Sequence, residues 1–195
     1  MISIGKLGDI IKFGKYDWLI LDSQSNKMLV ITNNIIKKRR YNEETPSKIT
    51  TWENSEIRSY LNGEFLDSFD KMDSDRIKET ELINNPNPWF GTKGCENTTD
   101  KIFLLSIEEV VKYFGDSGQL AERPGNAWEI SDKYDSTRIA RNFKGSRSWW
   151  WLRSPGFSSF VAASVFPSGK LDLGGDHLFW VESGGVRPAL WLTLE

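Results

Sequence analysis

The sequence predicts an α+β fold, and three observations carry that reading. Three apolar runs separated by tight-turn residues open the chain. Two amphipathic segments with helix-capping signals occupy its middle. Four or five short apolar runs, punctuated by glycine and proline, close it. No internal repeat, low-complexity tract or linker-like stretch divides the 195 residues, a length that suits one domain. The expected architecture is one unit over residues 1–195, with twisted antiparallel sheets, two or three packed helices and long loops.

The opening runs are DIIKFG, YDWLILD and KMLVIT, joined by GK and SQSN, and they read as a three-stranded meander. A polar loop from Ile36 to Thr50 follows. It contains the basic cluster Lys37-Lys38-Arg39-Arg40, read as solvated loop because a nucleic-acid footprint spreads over a whole face. Thr50 and Glu53 have capping-box spacing, and Ile57, Tyr60, Leu61 and Phe65 recur at helical intervals behind them. A second short helix is expected around SDRIKETEL. NNPNPWFGTKGCENTTD is loop because its prolines and glycines break regular structure.

KIFLLS then reads as a buried strand. Ser106 with Glu109 forms another capping box, Ile107, Val110, Val111 and Phe114 share one helical face, and Gly115 is the stop. From Asp116 to Ser146 no period is clean, which predicts a long loop with one short helix near Ser136–Arg141. SWWWLR, VAASVF, KLDLG, HLFWVE and GVRPALWLTL read as short strands. In RSWWWLRSPG, alternation sends Trp150 and Leu152 toward one core layer, while Trp149 and Trp151 brace the base of the loops that follow.

Composition excludes several classes. A net charge of −2, from 25 basic and 27 acidic residues, gives no general attraction to nucleic acid or to an anionic membrane. Cys95 is the only cysteine, so no internal disulfide or CxxC metal motif exists. MISIGKLGDIIKFG lacks an apolar h-region, so no signal peptide is expected and the location reads as cytoplasmic, or associated with a phage or a secretion machine. No run approaches the roughly 18 apolar residues of a membrane span.

The catalytic inventory is thin. His177 is the sole histidine, and no G-x-S-x-G elbow or phosphate-binding glycine loop occurs. Asp172 and Asp176 lie in a glycine-rich stretch without the calcium-loop pattern, and they read as turn residues. No catalytic residue, metal or cofactor is assigned.

One segment departs from the rest. Phe157–Val181 holds three charged residues, Lys170, Asp172 and Asp176, among many aromatics, serines and glycines. Rigid aromatics beside adaptable small polar residues is the composition of a binding surface. Val161, Ala163, Val165, Leu171 and Leu173 read as core. The candidate ligand-binding residues are Phe157, Ser159, Phe160, Phe166, Ser168, Asp172, Asp176, His177, Phe179 and Trp180.

WWLRSPG (Trp150–Gly156) and GVRPAL (Gly185–Leu190), with TWENSEIRSYLNGEF and TDKIFLLSIEEVVKYF, resemble a bacterial family of domains of unknown function. That family resembles the C-type-lectin-like fold of formylglycine-generating enzymes and of the variable proteins of diversity-generating retroelements. The resemblance implies a scaffold over 1–156, a variable ligand-binding segment over 157–183 and a closing strand over 184–195. Both familiar activities of the fold lack their residues here. The enzyme relies on a cysteine pair, and the calcium-dependent lectins need Glu-Pro-Asn or Gln-Pro-Asp with Trp-Asn-Asp. Trp150, Arg153 and Arg187 fall in the constant motifs, where the arginines are expected to tie carbonyls or carboxylates beside the tryptophans.

The leading expectation is therefore a non-enzymatic binding domain for a protein or other surface ligand. Two alternatives stay open: an enzyme using His177 with Asp176 or Glu182, and a structural component of a phage or secretion machine.

Overall fold

A computed structural model of the protein describes residues 5–43, 49–179 and 184–194. The meander is present as β1 (Ile10–Phe13), β2 (Tyr16–Gln24) and β3 (Lys27–Thr32), each antiparallel to the next. The basic cluster is an edge strand, not a solvated loop. β4 (Lys37–Arg39) pairs antiparallel with a strand from the end of the chain, and Arg39 and Lys37 lie over the Tyr60 ring. Charged side chains on an edge strand discourage further pairing there.

Ser55, rather than Thr50, caps the first helix α1 (Glu56–Tyr60), accepting from the Arg58 N–H. The helix continues through a π-helical turn at Leu61–Phe65, so its apolar face still buries Ile57, Leu61 and Phe65. α2 (Lys71–Arg76) follows. Short strands come next, β5 (Ile77–Lys78), β6 (Thr80–Leu82), β7 (Thr98–Asp100) and β8 (Ile102–Phe103).

α3 (Ile107–Phe114) has the predicted capping box: the Glu109 N–H donates to the Ser106 hydroxyl and the Ser106 N–H to the Glu109 carboxylate. Its four apolar residues are all buried. Ser106→Ala removes an N-cap acceptor and is expected to lower the unfolding free energy by about 1 kcal/mol in urea titrations.

The weakly patterned region is a long loop interrupted by β9 (Glu129–Ile130) and α4 (Asp135–Arg138). It is fastened from inside. Arg138 is fully buried, with Nη2 donating to Asp132 at 3.0 Å and Nη1 to Asp135 at 3.2 Å. β10 (Ala140–Arg141), β11 (Arg147–Ser148), β12 (Trp150–Pro155), β13 (Val161–Val165) and β14 (Leu171–His177) come next. The closing strand is in fact two, β15 (Gly184–Val186) and β16 (Ala189–Thr193).

Two sheets result. The first runs β1-β2-β3-β16-β5, with β8 also on β16, and the second runs β4-β15-β12-β13-β14-β9. The chain crosses from the second sheet to the first at Arg187-Pro188. Arg187 explains the crossing: its fork donates to the carbonyls of Thr32 (2.9 Å), Asn33 (3.4 Å) and Arg138 (3.5 Å), and its face lies 4.9 Å from the Trp150 ring. Burial alone pulls its pKa down to about 9. The second sheet is mixed, not purely antiparallel, because β12 and β15 are parallel at Trp150 and Gly185. The overall class is α+β. No described helix is long and apolar enough to cross a membrane.

The tryptophan triplet is more buried than alternation alone predicts. Trp150, Trp151 and Leu152 are all fully buried, so both faces of β12 are covered. Each indole N–H has its acceptor, Arg138 carbonyl for Trp150 (3.1 Å) and Arg39 carbonyl for Trp151 (2.9 Å). Trp149 is half-buried and packs edge-on against Trp151 at 4.6 Å.

Candidate functional site

The residues expected at the site lie on the hairpin of β13 and β14 and its flanks. Ala163 in β13 is opposed by three residues on each side: Leu152, Arg153 and Ser154 of β12, and Leu173, Gly174 and Gly175 of β14. These bulges shape both sides of the sheet.

On the β12 side, the bulge lifts Arg153 toward α3. Its N–H donates to the Leu105 carbonyl, and its guanidinium grips the Glu109 carboxylate with both Nη atoms, Nη2 at 2.9 Å. The Leu104 and Ile83 carbonyls and the Asn84 side chain take the remaining donors. Beside it lies a narrow cavity of about 20 Å³, with Tyr41, Trp52 and Cys95 among its lining. Burial raises the Tyr41 phenol far above its ordinary value.

On the β14 side, the GGD stretch is not the expected turn between two strands. β14 runs through it, and the Gly174-Gly175 pair supplies the bulge, Gly175 at a φ of 83° that a side chain would resist. Gly174 also permits a close approach, since a Cβ there would lie 2.5 Å from Cε3 of Trp128. Three segments meet at this point. The Phe157 N–H donates to the Gly174 carbonyl (2.8 Å). The Trp128 carbonyl accepts from Leu173 (3.0 Å) and Gly174 (3.1 Å). The Asn87 amide, buried, donates to the Pro155 carbonyl (2.8 Å) and the Leu173 carbonyl (2.9 Å), while its oxygen holds the N–H groups of Trp89 and Phe90.

An exposed aromatic corner results. Phe90, Trp128 and Phe157 pack with centroids 5.1 Å (Phe90–Trp128), 5.1 Å (Trp128–Phe157) and 6.4 Å (Phe90–Phe157) apart, at steep angles. Trp128 is 52% and Phe157 44% exposed. Arg123 stacks over Phe90 at 4.6 Å and is fixed by the carbonyls of Ala127 and Trp89. Phe90 and Trp128 lie outside the charge-poor segment and were not expected here. Each is a large aromatic in a Gly/Asn/Pro loop, NPWFG and GNAWEI, which is the same signal that marked residues 157–181.

The structure divides the expected residues. Phe157, Ser159, Phe160, Asp176, His177 and Phe179 gather at the open end of the hairpin, with Phe160 49% exposed and His177 exposed beside the Phe179 ring (5.7 Å). Phe166 and Ser168 belong to the opposite end. The five residues of β13 separate them from the others, about 16 Å of strand, and the adjoining Gly169 is buried against the Asp135 backbone. Trp180, and the Glu182 of the enzymatic alternative, lie outside the described residues. Val161, Ala163, Val165, Leu171 and Leu173 are buried.

Asp172 is not a surface turn residue but a buried one, 7% exposed. Burial, with repulsion from Asp176 and Glu129, pushes its carboxyl up to about 6, against N–H bonds from Gly174 and Gly175. Asp176 accepts from the Ser164 hydroxyl at 2.9 Å. Among the described residues no three His, Cys, Asp or Glu side chains come together as metal ligands.

The model of one protein family, described as a domain of unknown function (DUF6273), matches residues 25–194. The chain belongs to the DUF6273 family. No curated protein and no solved structure matches it. In this DUF6273 domain, the matched region contains both sheets' central strands, Arg153, Arg187 and the whole aromatic corner.

Proposed function

We propose that this DUF6273 domain is a non-enzymatic binding module for a protein ligand, with its contact surface at the open end of the β13–β14 hairpin. The observation that carries the reading is the aromatic corner. Three segments distant in sequence each deliver one ring to a single exposed cluster, and the backbone beneath is fixed by Asn87 and Gly174. Rigid, partly exposed aromatics on a pinned backbone lose little entropy on binding, which is the character of interface hot spots. Phe160, Ser159 and His177 extend the surface.

The C-type-lectin-like fold, and kinship with retroelement variable proteins, form the finer part of the proposal. Their support is the placement of a ligand-facing segment between WWLRSPG and GVRPAL. The buried residues of β13 and β14 restrict any variation to the hairpin ends. A reverse transcriptase and a near-copy of this gene's 3′ end in the neighbouring DNA would support the kinship, and their absence would remove it.

Panning a random constrained-peptide library against the domain tests the surface. Selected peptides are expected to bind the Trp128→Ala/Phe157→Ala variant at least about tenfold more weakly, the size of a hot-spot loss, while its thermal unfolding moves little. Peptides that bind the variant and the parent equally would place the contact surface elsewhere.

A further inference from the structure

The hairpin of β10 and β11 carries chemistry that neither the fold nor the aromatic corner uses. Asn142 closes its turn, accepting from the N–H groups of Lys144 (2.9 Å) and Ser146 (3.2 Å). At the tip Phe143 is 79% exposed. The base is held firmly, with Ala140 and Ser148 buried. Arg141 and Arg147 stand directly opposite each other in the register.

That pairing breaks a folding rule, since like charges directly across a ribbon destabilise it. Among the described residues the Arg141 side chain makes one hydrogen bond, from Nη1 to the Gly145 carbonyl at 2.7 Å. Among the described residues, neither Arg147 nor Lys144 meets a carboxylate, and the Lys144 ammonium lies 6.0 Å from the Phe143 ring. The seven residues Arg141–Arg147 hold three cations, one exposed phenyl and no acid, in a chain whose net charge is −2. The Ile35 N–H donates to the Arg141 carbonyl at 2.9 Å, which sets this hairpin beside the segment leading to exposed Lys38.

We propose that the β10–β11 hairpin docks on an anionic phospholipid surface. Phe143 enters the interface, and Arg141, Lys144 and Arg147 meet the lipid phosphates. A phosphate between the two arginines converts their repulsion into paired charge-assisted hydrogen bonds. The spacing suits a layered environment. β10 ends at Arg141 and Phe143 lies in the turn, so the phenyl stands beyond the arginine pair, which faces itself across the base of that turn. Groups docked at a membrane interface bury their apolar parts about 5–10 Å deep. An acidic protein would answer the cations but offers no reason for the phenyl to lead them.

Co-sedimentation of the full chain with phosphatidylcholine vesicles, with and without about 30% phosphatidylserine, tests this. Binding is expected only to the anionic vesicles, at roughly millimolar lipid, and it should weaken as salt rises. Lys144→Gln and Arg147→Gln should each weaken it about fivefold. Phe143→Ser should weaken it without changing the circular dichroism spectrum, because this side chain is 79% exposed and lies outside the described hydrophobic core. Equal binding to both vesicle types, or no binding, overturns the proposal, as does a Phe143→Ser variant that binds like the parent. Displacement from the vesicles by a single-stranded oligonucleotide that binds through the same residues also overturns it, in favour of nucleic-acid recognition.

Discussion

Arg153→Ala is expected to lower the unfolding free energy by about 3–5 kcal/mol, the cost of removing one partner from a buried ion pair. In a domain of this size that is a fall in melting temperature on the order of 10 °C. The residue is 4% exposed, and its guanidinium spans Glu109, Asn84 and the Leu104 and Ile83 carbonyls. Truncation leaves the buried Leu104 carbonyl short of a donor, frees the Ile83 carbonyl and leaves a carboxylate without its cation. Because Glu109 also closes the capping box of α3, the loss reaches the helix. Glu109→Leu with Arg153→Met removes both charges together, and the double variant should lose less than the sum of the singles. Additive losses, or an Arg153→Ala variant of unchanged stability that fails to bind peptide, would move Arg153 from scaffold to ligand contact.

The second large effect concerns pH. Asp172 has a carboxyl pushed up to about 6, against 3.8 as its unperturbed value. Its folded value is the higher one, so between these limits the native state holds a proton that the unfolded chain has released. Its contribution to stability is therefore greatest below about pH 4, declines as pH rises to about 6, and is constant above. The difference corresponds to about 3 kcal/mol. Asp172→Asn keeps an acceptor for the Gly174 and Gly175 N–H groups and removes the ionisation. The variant should be more stable than the parent at pH 7 to 8, by up to that amount, and equal to it at pH 4. Urea titrations across this range read the difference directly. A constant offset at all pH values would mean that packing, not ionisation, sets the cost.

Local signals were legible where a single segment decides the outcome. The α3 capping box, the opening meander and the buried alternate residues of β13 all follow from short-range pattern. Elements that distant partners decide were misread, among them the basic cluster, which pairs with β15, and the two following. Thr50 and Glu53 have capping-box spacing, yet Ser55 caps α1, whose first N–H, that of Glu56, is taken by Asn42. Gly174-Gly175 reads as a turn in isolation and becomes a bulge when β14 pairs along β13, where Leu173, Gly174 and Gly175 together face Ala163. The aromatic corner could not be assembled from spacing. Phe90, Trp128 and Phe157 meet through the pairing of β9 with β14 and through one buried asparagine, neither of which leaves a periodic trace.

The crossing at Arg187-Pro188 has a consequence for biosynthesis. β16 is the strand between β3 and β5, and it is the last of the described strands to be synthesised. While a ribosome makes the intervening chain, the meander waits with β3, an apolar strand of Met28, Leu29, Val30 and Ile31, as an open edge. At typical elongation rates the wait is on the order of 10 s. A bare apolar edge held open that long is a template for pairing with neighbouring nascent chains. Ribosomes crowded on one message would thus be the setting in which this protein aggregates, and a chain stalled before residue 189 would present the open edge indefinitely.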